Sequence, residues 1–114
     1  MTGPVYEAAL KKRGLERLIP DESARERLNT AIFDELCQGV FKETTTQIFL
    51  SAIEALKARG AKCVILGCTE IPIIVTPENS SLPVLDSTRL LARYAVLEAL
   101  NERPIAVASG WLPV

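Results

Sequence analysis

Apolar residues recur along this chain with two different spacings. In ARERLNTAIFDELCQG, Leu28, Ile32 and Leu36, with Phe33 beside them, fall three or four residues apart, the spacing of one face of an α-helix. Asp21 and Ser23 are short polar residues of the kind that start helices, and Gly39 is a natural stop. A second long helix is predicted over about 43 to 59, with Phe49, Ile53 and Leu56 on one face and Gly60 at its end. A shorter one, VYEAALKKRG, opens after Gly3-Pro4 and closes at Gly14. The last, STRLLARYAVLEAL, takes Asp86 or Ser87 as its cap.

The other pattern is short and continuous. AKCVILG is rich in β-branched residues, which is how a strand buried on both faces reads, and LPVLD reads as a second buried strand. LERLIP is predicted as a further short strand ending at Pro20. TEIPIIV begins a short helix or turn, residues 77–81 form a loop, and PIAVASGWLPV is a tail with strand-like alternation that carries Trp111. The expected organisation is an α/β domain over residues 1–100 followed by a tail over 101–114. Strands alternating with helices predict parallel β-α units, hence a parallel sheet with helices on both faces. In such sheets the ligand crevice lies beyond the carboxyl ends of the strands. Cys68 and Asp86 both fall at such ends.

Composition narrows the function classes. With 114 residues, 48% apolar and 24% charged, the chain has the make-up of one soluble globular domain. A net charge of −1 with mixed signs, and 5% aromatic residues, give no basis for nucleic-acid binding or for an anionic membrane surface. The longest apolar runs fall well short of the roughly 20 residues a membrane-spanning helix needs. MTGPVYEAALKKRG lacks the charged-then-apolar order of a signal peptide. Three cysteines without paired spacing point to a reducing, cytoplasmic setting rather than a disulfide framework. With no histidine and no C-x-x-C, a metal site is not expected.

The chemistry therefore centres on VILGCTEIPIIV. Cys68 sits where a strand gives way to a helix start, Gly67 allows close backbone approach, and Thr69 can cap the following turn. Free N–H groups and the helix dipole at such a place lower a thiol pKa, whereas the carboxylate of Glu70 raises it. Two readings stay open on these grounds: a reactive thiol at the mouth of a site, or a small residue finishing a buried strand.

GCTEIP resembles the second catalytic-cysteine motif of the aspartate/glutamate racemase superfamily. TGPVYEAAL followed by IPD, then NTAIFDELCQG, GAKCVILGCTEIPIIV and LPVLDSTRLLARYAV, resemble in order the second half of aspartate and broad-specificity amino-acid racemases. The resemblance covers roughly residues 2 to 100. It implies one half of a pseudo-symmetric α/β fold and a racemisation that uses neither pyridoxal phosphate nor any other cofactor. In that reaction two cysteines face each other across the substrate α-carbon, one removing the α-proton as thiolate and the other delivering a proton as thiol. Cys68 corresponds to the second of them. Thr69 and the backbone of Gly67 would help to hold the α-carboxylate of a small amino acid. Related glutamate racemases carry histidine at the position of Glu70, so glutamate there resembles the aspartate and broad-specificity branch. Cys37 corresponds to a position near the substrate, where some aspartate racemases carry lysine and broad-specificity ones can carry cysteine; the simpler role for it is a small residue lining the helix–sheet interface.

The resemblance also implies that the chain is a fragment-like half, about half as long as those enzymes, without the half that carries the first cysteine, without the first strand of this domain and without the substrate-loop threonines. A sheet lacking a strand leaves an edge to be covered, so self-association is expected, with the apolar tail packing on a neighbour. Within the same superfamily, hydantoin racemases and arylmalonate decarboxylases are alternative chemistries; outside catalysis, the alternative is an inactive carboxylate-binding or assembly domain. Simpler roles are expected for the remaining polar residues: Cys63 as core, Asp86 and Ser87 as a helix cap, Glu35 as a solvated helix position, and DESARER as a solvated helix start.

Overall fold

A computed structural model describes residues 1–100. Its elements run α1 (Pro4–Lys11), α2 (Glu22–Asp34), a 3-10 turn (Leu36–Gln38), α3 (Glu43–Ala58), β1 (Val64–Leu66), α4 (Ile71–Ile74), β2 (Val84–Asp86) and α5 (Ser87–Ala99). β1 and β2 pair in parallel with Val64 opposite Val84, Ile65 opposite Leu85 and Leu66 opposite Asp86. The expected α/β class with parallel strands is therefore what forms. The tail with Trp111 lies outside the described residues.

These residues fall into two compact units. One runs from Leu18 to Thr88; the other combines Met1–Arg17 with the described residues from Arg89 to Leu100. The first holds the hydrophobic core: Leu28, Ala31 and Leu36 from α2 and the turn after it, Phe49 and Ile53 from α3, Leu66 from β1, then Ile71, Ile74, Val75 and Leu82. In the second, Arg17 ties the start of the chain together, donating to the carbonyls of Met1 and Gly3 and pairing with Glu7 at 2.7 Å.

Local signals account for most element ends. The Asp21 carboxylate accepts from the Ala24 N–H at 2.8 Å, so the side chain satisfies one of the donors that a helix start leaves open. After α3, Gly60 adopts φ +99°, a left-handed conformation that any side chain would strain, and the chain turns there towards β1.

The structure departs from expectation at five places. LERLIP is not a strand: the carbonyls of Ile19 and Pro20 accept from the guanidinium groups of Arg59 and Arg25, at 2.7 and 2.8 Å, so side chains take the place of a neighbouring strand. ELCQG does not continue α2. The backbone breaks at Glu35 (φ −122°, ψ −68°) and resumes as the 3-10 turn, which Gly39 ends at φ +73°. Phe33 lies off the buried face and is 59% exposed. Neither strand is buried on both faces: Leu66 is buried, but Leu85 is exposed and its neighbours are half-buried. Cys63, expected in the core, is exposed at the entry to β1, one residue before the pairing begins.

Candidate active site at the end of β1

The site begins where β1 stops. Leu66 is the last paired residue and is buried in the core, which fixes the chain just before Gly67. The Ser87 hydroxyl, at the first position of α5, donates to the Leu66 carbonyl at 2.8 Å and holds the same point from the other strand's end. From there the backbone bends through exposed Gly67, half-buried Cys68, exposed Thr69 and half-buried Glu70 into α4. Pro72 lies in the first turn of α4, where its missing N–H leaves no bond unmade.

Two of the predicted residues meet. The Cys68 thiol donates to Oε2 of Glu70 at 2.8 Å. Burial pushes the Cys68 pKa up, and the bond to Glu70, which stabilises the protonated sulfur, pushes it further; the backbone N–H groups of Glu70 and Ile71 pull more weakly the other way. Glu70 moves in the opposite direction. Its carboxyl is held below the usual value by accepting first from Cys68 and then from the Thr69 hydroxyl. The proton of the pair therefore resides on sulfur and the negative charge on Glu70.

This decides between the two opposing influences that the sequence left open, the helix start and the Glu70 carboxylate, in favour of the carboxylate. α4 is only four residues long and receives no side-chain cap, and the Thr69 hydroxyl serves Glu70 instead of the turn. A helix that short has little dipole to offer.

Cys37 is exposed on the 3-10 turn, and no hydrogen bond joins it to Cys68 or Glu70 among the described residues. Asp86 acts as expected of a cap, its carboxylate accepting from the Thr88 N–H at 2.9 Å. Ser87 does something that sequence reasoning missed, because its bond to Leu66 spans 21 positions and has no local signature. Glu35 was also misjudged: it accepts from the hydroxyl of Thr45, which is 1% exposed, and pairs with Lys42 at 3.1 Å. Those partners, Thr45 before Lys42, hold its carboxyl below the usual value. The signal available was a threonine among the buried positions of α3, which must find a polar partner.

Among the described residues there is no cluster of three or more groups able to hold a metal ion, and no helix long and apolar enough to cross a membrane. The site thus offers a protected thiol, a fixed negative charge beside it, and the open backbone of a glycine: the equipment for moving a proton next to a small polar molecule.

Known proteins place this arrangement in context. A structure of a candidate Asp/Glu racemase from Yersinia pestis is similar to the chain with 37% identity and a TM-score of 0.80, over 86% of this chain and 43% of that one. An aspartate racemase homologue from Pyrococcus horikoshii is similar with 31% identity and a TM-score of 0.76, over 84% of this chain and 42% of that one. The chain thus spans less than half the length of either. The sequence model of the Asp/Glu/hydantoin racemases matches residues 2–95, which include both strands, Cys68 and Glu70. Fold and sequence agree, and the chain belongs to the Asp/Glu/hydantoin racemase family.

Proposed function

We propose that this chain supplies one side of a cofactor-independent proton exchange at the α-carbon of a small amino acid, acidic or broad in range, with Cys68 as the acid/base. The observation that supports this reading above others is the half-buried thiol at the strand end, donating to Glu70. A sulfur in such a place is shielded enough for its charge state to be controlled by its neighbours, yet open enough to reach a ligand.

The neighbours divide the remaining work. Gly67 and Thr69 are exposed beside the thiol, and the backbone there is suited to hold the substrate carboxylate. Glu70 is anionic and repels a carboxylate; its charge suits the substrate ammonium instead. When the Cys68 thiol gives its proton to the α-carbanion, formed once a base on the opposite face has taken the original α-proton, the carbon lone pair becomes the new C–H bond and sulfur is left as thiolate. In the reverse direction the thiolate takes the α-proton, and the electron pair stays on carbon. Cys37 and Cys63, both exposed, stand apart from this step, so inversion by this chain alone is expected to be feeble.

The experiment is hydrogen exchange. The chain is incubated with L-aspartate or L-glutamate in deuterated water, and the α-proton signal is followed by NMR. Loss of that signal, abolished by Cys68→Ser, is the expected result. No exchange between pH 6 and 10 would sink the catalytic reading; calorimetric titration with the same amino acids then shows whether the crevice binds them without reacting.

A further inference from the structure

The bond between Cys68 and Glu70 has a consequence for the thiol itself. A carboxylate that accepts from a thiol stabilises the S–H form, and once the proton departs it faces a second negative charge on sulfur across the same short distance. The Thr69 hydroxyl, like the thiol, favours the charged form of the Glu70 carboxyl. Among the described residues, the groups that act on the thiol from every side are the Glu70 carboxylate and the backbone N–H groups of Glu70 and Ile71. Asp86, at the end of β2, turns to the Thr88 N–H.

We propose that Glu70 is a positioning residue that sets the proton inventory of Cys68: its carboxylate, 2.8 Å from the sulfur, keeps the thiol protonated at rest and makes the thiolate formed in turnover a stronger base. This rests on the reading of Cys68 as the acid/base. It makes Cys68 the proton donor to an α-carbon that has already lost its proton to a base on the opposite face. After donation, the thiolate is left beside a fixed anion, so it regains a proton readily from a carbon acid. Glu70 thereby trades a smaller standing population of thiolate for greater strength in each one. That exchange is useful for an α-proton of an amino acid, which is a weak acid.

The test reads the sulfur without a substrate. Alkylation of Cys68 by iodoacetamide is followed from pH 6 to 11 in wild-type chain, Glu70→Gln and Glu70→Asp, with mass spectrometry of the Cys68 peptide to separate it from exposed Cys37 and Cys63. Thiolate reactivity falls with thiolate basicity by a Brønsted slope of about 0.4–0.5. The profiles should therefore cross. Glu70→Gln should react faster near neutral pH and half-saturate at lower pH. Its alkaline plateau should be lower, by about threefold for each pH unit of displacement. Glu70→Asp, which keeps the charge on a shorter arm, should fall between the two. A Glu70→Gln profile superimposable on wild type, or one raised at every pH as simple unmasking would give, would overturn the proposal. Circular dichroism confirms that each variant is folded; should Glu70→Gln fail to fold, Glu70→Asp alone decides by the direction of its shift. Crossing profiles in a chain that exchanges no α-proton would uphold the device while removing the function proposed above, so the two can fail separately.

Discussion

Two carboxylates in the Leu18–Thr88 unit are held in nearly the same way and end with different capacities. Glu35 accepts from a threonine hydroxyl and a lysine ammonium; Glu70 accepts from a cysteine thiol and a threonine hydroxyl. Both are pulled below the usual carboxylate value by the donors around them. The difference lies in the donors. A threonine hydroxyl, the first partner of Glu35, never titrates in water, so the first group clamps. A thiol can release its proton at accessible pH, so the second group can clamp and also change state. What separates a brace from a site here is one titratable donor, not the strength of the hydrogen bonding.

Several measurements would break or sharpen that contrast. The largest effect is expected from the packing under the brace. Phe49 is 5% exposed in the same helix as Thr45, and Phe49→Ala should destabilise the fold by about 3–5 kcal/mol through lost burial and the cavity left behind. Cys68→Ser, which removes almost no volume, should move the urea midpoint far less. Equal losses from the two would mean that the strand end carries as much of the fold as the α2–α3 packing does.

Next in size is Thr45→Val, which keeps the shape of a side chain only 1% exposed and deletes its hydroxyl. The urea midpoint should drop clearly, because the Glu35 carboxylate loses its first partner. The alkylation profile of Cys68 should stay where it is. Glu70→Gln should show the reverse pattern, a small change in midpoint and a displaced profile. If Thr45→Val displaced the thiol profile as well, the two carboxylates would be one coupled network and the contrast would collapse.

The smallest effects separate the two groups by pH. Glu35 and Glu70 both ionise more readily in the folded chain than the ordinary carboxylate value of 4.5. Each therefore adds stability above that pH, which is lost as pH falls through the folded value. Cys68 is shifted upward from the ordinary value of 9.0, so its contribution is complete below pH 9.0 and is lost as pH rises through the folded value. The brace should have an acid limb only, and the site both. Urea midpoints from pH 3 to 11 should show an alkaline decline that Cys68→Ser diminishes and Thr45→Val leaves unchanged; an identical alkaline decline in Cys68→Ser would remove the distinction.

Much of this is legible in the amino-acid sequence. The helices around Leu28 and Phe49 follow from periodicity and end signals, because a 3.6-residue repeat of apolar side chains has one economical way to be buried. The strand-end position of Cys68 followed from the short run before it. LERLIP misled because a leucine-rich stretch bounded by proline looks the same whether its carbonyls meet a strand or two arginines, and Arg59 lies 40 residues away. The break at Glu35 was hidden for a related reason. Its backbone conformation answers to Thr45 and Lys42 across a turn, and nothing in ELCQG itself announces them. The direction of the Cys68 shift was open in the sequence, since it depends on whether α4 is long enough to oppose Glu70; at four residues it is not.

The Ser87 hydroxyl on the Leu66 carbonyl bears on accuracy more than on persistence. β1 and β2 would remain paired through their own backbone without it, yet the chain leaving β1 would then pivot about its last ladder bond, and the sulfur two residues further on would sweep an arc. Proton transfer tolerates little such wander, since rates fall steeply once reacting atoms stray from their line of approach. One oxygen atom, on the residue that opens the next helix, holds the carbonyl two positions before the thiol, so a group outside the Cys68–Glu70 pair restrains the backbone that carries it.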